Sequence, residues 1–380
     1  MLSKTIQIRW LSTLVCLAVL AIHLGLNEFA SVQFLAFIIL FVISLRFAAL
    51  RLNEVAIVFF ALILSIIVSA LIANHDPMTV LKGVRSAIVL CLLYIWTWTT
   101  NAISKQNKIS IFNGIKLAIQ ISLIVSCLQL ADSLTINTGS FDIPESWFSL
   151  EYGTLAYDRR DHLASIGVFI RPTSFFSEPS ALAALSLLGL AIANEWNDKR
   201  LRIASAALLV ISMSLAGLLL GVLFLLFSGS RIGQHRQRLF SVIFGTILIS
   251  AIGIFVFQER IANISVGGDL SATIRIFEPL KVLYTSLNSG NFFGATPEFL
   301  LSLADSEVYT IFDNWALNQL LLYGVMGIVW LVFPAILLRG WPLALFLAYS
   351  VTNGDALYYD RFLFLSLLIL CRNKHQTNQL

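Results

Sequence analysis

Charge is what this sequence has least of. Only 12% of its 380 residues are Asp, Glu, Lys or Arg, against about 25% in soluble domains. With 58% hydrophobic residues and a mean hydropathy of +0.85, a water-soluble globular fold is excluded. Charge of one sign is scarce too. Twenty-five Lys and Arg against 21 Asp and Glu leave +4, which excludes the basic footprint of a nucleic-acid binder. Cysteine is limited to Cys16, Cys91, Cys127 and Cys371, all in apolar runs and without metal or redox spacing. Neither a disulfide framework nor a metal site is expected from them. There is no fixed-period repeat and no low-complexity tract, and no appended soluble domain is expected. No secretory cleavage site follows the first apolar run, which reads as a retained span.

What the chain has instead is long apolar runs. About 20 such residues cross a bilayer. Candidate spans fall at about 10–25, 29–48, 55–74, 84–100, 111–131, 179–196, 203–213, 215–228, 240–258, 315–338, 341–355 and 358–371. The expected fold is an all-α integral membrane protein, one polytopic domain over 1–380 with about 12 transmembrane helices. Two of these, 203–213 and 215–228, are too short to be ordinary spans. Read as a hairpin, they leave Lys4, Arg9, Arg46, Arg51, Lys105, Lys108, Lys199, Arg200, Arg202, Arg231, Arg236, Arg238, Arg339, Arg372 and Lys374 on one side. The short loops opposite carry only Lys82, Arg85 and Arg361. Lys and Arg collect in cytoplasmic loops, so both termini are expected in the cytoplasm.

Two long segments then face outward, about 132–176 and 259–314. In the first, Trp147, Phe148, Tyr152 and Tyr157 serve either to stack on sugar faces or to anchor at the bilayer interface, where Trp and Tyr are enriched. Arg159 and Arg160 are placed to pair with phosphate or with Asp158 and Asp161. In the second, Leu270, Ile274, Phe277 and Leu280 recur at helical spacing, with Ser271, Arg275 and Glu278 on the other face. That pattern predicts a surface-lying amphipathic helix, which Pro279 should break or kink. Arg275 either projects toward a ligand or pairs with Glu278. Further on, Asp313-Asn314 stand just before the tenth span, and Gly324 and Gly327 lie on one face of it, allowing close helix packing. Gly217 and Gly221 form a GxxxG of the same kind.

The stretch IRPTSFFSEPSA, 170–181, joins the first outward segment to an apolar helix. Pro179 suits a first helical turn, Ser177 suits an N-cap, and Glu178 suits the positive end of the helix dipole. Arg171 sits just outside the membrane, either snorkelling to headgroups or holding a ligand. Two arginines, Arg171 and Arg275, and two carboxylates, Glu178 and Asp313, are thus expected at one membrane face. Arginine suits a diphosphate because its planar fork donates paired hydrogen bonds and stays charged. A carboxylate suits deprotonation of a sugar hydroxyl.

From about Ser165 to Phe333 the chain resembles the bacterial O-antigen polymerase and O-antigen ligase family. IRPTSFFSEPSALA is similar to the family's Arg, aromatic, Glu-Pro-Ser stretch entering a span. SMSLAG, with Ser212, Ser214 and Gly217, resembles its small-residue turn between two short spans, without the Arg usually found there. Ile274-Arg275 followed by Gly294 looks like the family's loop arginine and glycine turn. In the ligases a His followed by Asn, Ser or Gln precedes Gly-x-x-Gly by nine residues. Here Asp313-Asn314 occupies that frame before Gly324-Val325-Met326-Gly327, so Asp stands where the ligase His would be.

The resemblance implies a glycosyltransferase of the bacterial inner membrane, with its active site facing the periplasm or cell exterior. It would use an undecaprenyl-diphosphate-linked glycan as donor and acceptor and need no nucleotide sugar, metal or other cofactor. The missing His favours polymerisation of O-antigen, capsule or exopolysaccharide repeat units over ligation. Arg171, Glu178, Arg275 and Asp313 are then the expected catalytic residues. The substrate-binding set is Arg171 and Arg275 with Arg159, Arg160, Asn314, Trp147 and Tyr152. A chain-length regulator and a flippase are the partners such a system implies, besides the lipid bilayer. The rival readings are a ligase moving glycan to another acceptor and a transporter or flippase of lipid-linked sugar. Transporters place ionisable groups at mid-membrane, and here the spans hold few, chiefly His23 and Lys116.

Overall fold

Helices carry nearly all of the structure, a computed structural model that describes residues 4–21, 23–27, 30–31, 52–99, 103–135, 141–142, 172–176, 178–214, 217–218, 220–221, 224, 278–299, 302, 314–338, 340–352 and 359–372. The candidate spans 29–48 and 240–258, most of 215–228, and most of both outward segments lie outside these residues. The helices are α1 (Lys4–Leu20), α2 (Leu52–Ala73), α3 (Pro77–Thr99), α4 (Lys105–Thr135), α5 (Pro179–Trp196), α6 (Lys199–Ile211), α7 (Glu278–Asn288), α8 (Trp315–Tyr323), α9 (Gly327–Leu337), α10 (Trp341–Thr352) and α11 (Tyr359–Cys371). A two-stranded antiparallel pairing of Gly25–Asn27 with Ala30–Ser31 follows α1. Among the described residues, four helical stretches are long and apolar enough to cross a membrane: Ala56–Ala73, Thr79–Thr97, Lys105–Thr135 and Trp315–Leu337. On the first of these, Phe60 and Leu71 are 69% and 75% exposed, which suits contact with lipid.

The described residues fall into two compact units that interleave along the chain. The first comprises 1–48, 99–246 and 359–380. Its longest element, α4, has 31 residues and so runs for ~46 Å at 1.5 Å per residue. Helix α1 lies along it in parallel, with Ser12 Oγ donating to the Ser110 carbonyl at 2.9 Å. Helix α5 starts at Pro179 and ends where Asn197 turns left-handed at φ 52°. Its N-cap residue is Glu178 rather than Ser177, because the extended backbone (φ −139°, ψ 149°) sits at Glu178 and Pro179 opens the helix. Asp198 then caps α6, accepting from Leu201 N at 2.9 Å.

With 13 residues, α6 is only ~20 Å long, short of the roughly 30 Å hydrocarbon layer. The chain turns at Ser212–Ser214, where Met213 has φ 48°, and Ser214 Oγ accepts from Gly217 N at 3.3 Å. A Cβ on Gly221 would collide with Leu209, twelve residues back, and one on Gly217 with Ala183 of α5. An uninterrupted helix would hold 209 and 221 about 18 Å apart, so the chain doubles back here and the two glycines let it lie close. Helix α11 packs on α1, α4 and α5, and every residue from Arg361 to Cys371 is buried.

The second unit comprises 49–98 and 247–358. Helix α2 is apolar over nearly its whole length and stops at Asn74, which is left-handed at φ 52°. Asp76 then accepts from Thr79 N at 3.3 Å to start α3, with Pro77 in the first turn. Helix α7 is described from Glu278 onward, with Pro279 as its second residue; the stretch 270–277, on which the expected break depends, lies outside the described residues.

The expected span 315–338 is present but interrupted. Helix α8 ends at Gly324, a three-residue 3₁₀ turn covers Gly324–Met326, and α9 continues from Gly327. The cause is the segment after α7. Val325 N donates to the Phe292 carbonyl and Ala295 N to the Leu321 carbonyl, both at 2.8 Å. Gly324 has φ 56° and ψ −135°, a region essentially reserved for glycine, and a Cβ there would strike the Phe292 carbonyl. The glycine thus admits a crossing backbone strand rather than a second helix.

Candidate functional site

Of the expected site residues, two are described, Glu178 and Asn314. Arg171, Arg275, Asp313, Arg159, Arg160, Trp147 and Tyr152 lie outside the described residues.

Glu178 stands half-buried at the head of α5. Its Oε2 accepts from Ser180 Oγ at 2.8 Å. Its other carboxylate oxygen has no hydrogen-bond partner among the described residues, and its carbonyl accepts from Ala181 N and Leu182 N at 3.2 and 3.4 Å. The helix start fixes the backbone and Ser180 fixes the rotamer, so one oxygen is left to accept a proton from a bound hydroxyl.

The backbone leading to Glu178 is held from α4. Gln129, buried in that helix, accepts from Thr173 N at 3.1 Å and Ser174 N at 2.7 Å through Oε1. Through Nε2 it donates to the Ser174 carbonyl at 3.3 Å and the Phe141 carbonyl at 3.2 Å. All four hydrogen-bonding positions of the amide are filled. Pro172, Thr173 and Ser174 are buried, Ser174 is left-handed at φ 54°, and Phe176 packs edge-on to His23 with ring centroids 5.4 Å apart. The chain immediately after Arg171 is therefore a fixed turn. Sequence reasoning missed Gln129. The available signal was a polar stripe at helical spacing (Ser122, Ser126, Gln129) inside an apolar helix, since polar groups in a span are functional candidates.

At the opposite end of the same unit, Lys116 Nζ meets Asp198 Oδ2 at 2.6 Å. Burial would raise the Asp198 carboxyl, but the hydrogen bonds from Lys116 and Leu201 N and the Lys116 charge outweigh it and hold it below the usual range. Nearby, Lys108 Nζ donates to the Arg372 carbonyl at 2.9 Å and Trp196 Nε1 to the Cys371 carbonyl at 3.1 Å. Lys116 is thus one half of an ion pair at a helix cap.

In the second unit, Asn314 is buried and caps α8, its Oδ1 accepting from Leu317 N at 3.1 Å. Its side-chain oxygen is thus engaged by the helix. Along the buried face of α8 follow Trp315, Gln319 and Tyr323, the last stacked on Trp330 at 5.3 Å. His75, between α2 and α3, lies 3.2 Å through Nε2 from the Ala295 carbonyl. Burial lowers its pKa, against the opposing pull of that hydrogen bond and of the Asp76 charge, so the ring is neutral at neutral pH. Among the described residues no group of three His, Cys, Asp or Glu is placed to hold a metal ion. All four cysteines are free thiols. Compared with known proteins, the chain matches no family model and no curated protein.

Proposed function

We propose that the chain polymerises undecaprenyl-diphosphate-linked oligosaccharide repeat units into a surface polysaccharide at the outward face of a bacterial inner membrane. What supports this most is Glu178: a carboxylate with one oxygen held and one open, at a helix start, on a turn anchored by Gln129 directly after Arg171. In the reaction, the open oxygen takes the proton of an acceptor sugar hydroxyl. That hydroxyl oxygen attacks the anomeric carbon of the donor glycan as the bond to the diphosphate breaks. A new glycosidic bond forms, undecaprenyl diphosphate leaves with the electron pair, and the proton passes from Glu178 to water. Arg171 neutralises the negative charge that grows on the departing diphosphate, an effect large in a site held in place beforehand. The family resemblance gives Arg275 and Asp313 the same two tasks, and substitution of each tests them separately.

Nothing described favours the transporter reading, because Lys116, its main mid-membrane charge, is paired with the cap of α6. The test is the glycan profile of a deletion strain complemented with Arg171→Ala or Glu178→Gln. Single capped repeats without long polymer are expected. Full-length polymer from both variants overturns the proposal.

A further inference from the structure

On helix α8, two polar atoms are buried without a hydrogen-bond partner among the described residues: Nε1 of the Trp315 indole and Oε1 of the Gln319 amide. Both belong to the buried face of α8, with Trp315 1% and Gln319 7% exposed. Residues four apart on a helix are neighbours, about 5–6 Å between Cβ atoms, so one small group can reach both. The indole is fixed edge-on to Phe346 of α10, with ring centroids 5.2 Å apart and planes at 84°. The helix start is fixed as well, by the Asn314 cap.

The chemistry of the two atoms selects what can bridge them. An indole N–H only donates and an amide oxygen only accepts. The bridging group must therefore accept from Trp315 and donate to Gln319. Ionised phosphate and carboxylate oxygens only accept, and an ammonium only donates. A hydroxyl does both through one atom. Leaving both atoms bare inside an apolar span is unfavourable, so a site built this way rejects an otherwise similar ligand that lacks the hydroxyl.

We infer that Trp315 and Gln319 form a hydroxyl-reading subsite for a sugar of the lipid-linked glycan, at the head of α8. The inference rests on the polymerase reading and adds the residues that recognise carbohydrate rather than diphosphate. The test uses the full chain in nanodiscs and two kinds of probe. One is undecaprenyl diphosphate alone. The other is the same lipid carrying one glucose, galactose, N-acetylglucosamine or N-acetylgalactosamine. At least one sugar-bearing lipid should bind the unaltered chain about tenfold tighter than the bare lipid, as expected for one well-placed hydroxyl. In Trp315→Phe, which keeps the ring against Phe346, and in Gln319→Leu, that ratio should fall close to one, with both variants eluting as the unaltered protein does. A ratio unchanged in both variants means a buried water only and overturns the subsite, as does a ratio of one in the unaltered chain. Failure of the unaltered chain to bind even the bare lipid overturns the polymerase reading itself.

Discussion

A leucine at position 129 would keep most of the volume of the glutamine and remove all four of its hydrogen bonds. Thr173 N, Ser174 N and the Ser174 carbonyl would then be buried without their partner. At roughly 1 kcal/mol or more for each such group, Gln129→Leu should lose on the order of 3 kcal/mol. That is read as a lowered melting temperature in detergent, with polymer lost in vivo. Wild-type melting would show that the turn after Arg171 holds without this amide. His75 makes a prediction about pH. Its folded pKa lies below the ordinary 6.5, so the unfolded chain binds the proton more readily. This contribution to stability is present in full above pH 6.5 and declines as pH falls below that value. His75→Gln keeps a donor for the Ala295 carbonyl and should flatten the fall in melting temperature below pH 6.5; an unchanged slope would refute the assignment. Neither residue was legible in the sequence. A single amide or imidazole near a span looks like any buried polar residue, and the partners of these two lie 44 and 220 positions away. Glu178-Pro179 was legible, because a proline and an acid before an apolar run are local signals.

Element boundaries were legible for the same reason. The reading 179–196 coincides with α5, and 55–74 lies within a few residues of Leu52–Ala73, since apolar run length and flanking Asn, Asp or Pro decide both. The break in 315–338 was not, because it depends on the segment around Phe292 and not on the helix's own residues. Gly324→Ala tests that cause. It places a Cβ on the Phe292 carbonyl at a backbone conformation closed to alanine, and should destabilise by about 2 kcal/mol or more. Gly327→Ala does not share the positive φ but would strike the Gln319 carbonyl, so it should destabilise as well. A Gly324→Ala protein melting like the parent would mean the segment around Phe292 does not hold the break. At the cap of α6, Lys116→Met on α4 removes the ion pair and most of what depresses the Asp198 pKa. Asp198 contributes stability above its ordinary value of 3.8, lost as pH falls through its lower folded value. The variant should be less stable than the parent at neutral pH and lose less stability as pH falls through the range in which Asp198 titrates. The effect should be within about 1 kcal/mol for a pair this accessible.

For the whole chain, membrane class followed from composition alone, whereas the partition into two interleaved units did not, since no local pattern encodes which distant segments meet. Orientation rests on the distribution of Lys and Arg. An alkaline phosphatase fused after residue 150 should be active, and one fused after 235 or 372 inactive. The reverse pattern would invert every statement about which face the site serves.

Helix α11 completes the first unit, yet it is made after every other described element. Every residue of the second unit precedes it, and so do α1, α4 and α5, the three helices that wrap it. During synthesis those three should wait with the slot for α11 unfilled by the chain. The slot's rim is marked by Lys108 and Trp196, side chains that later grip the carbonyls of Arg372 and Cys371. A ribosome stalled before residue 359 should therefore hold a second unit already resistant to protease beside a first unit that is still cut.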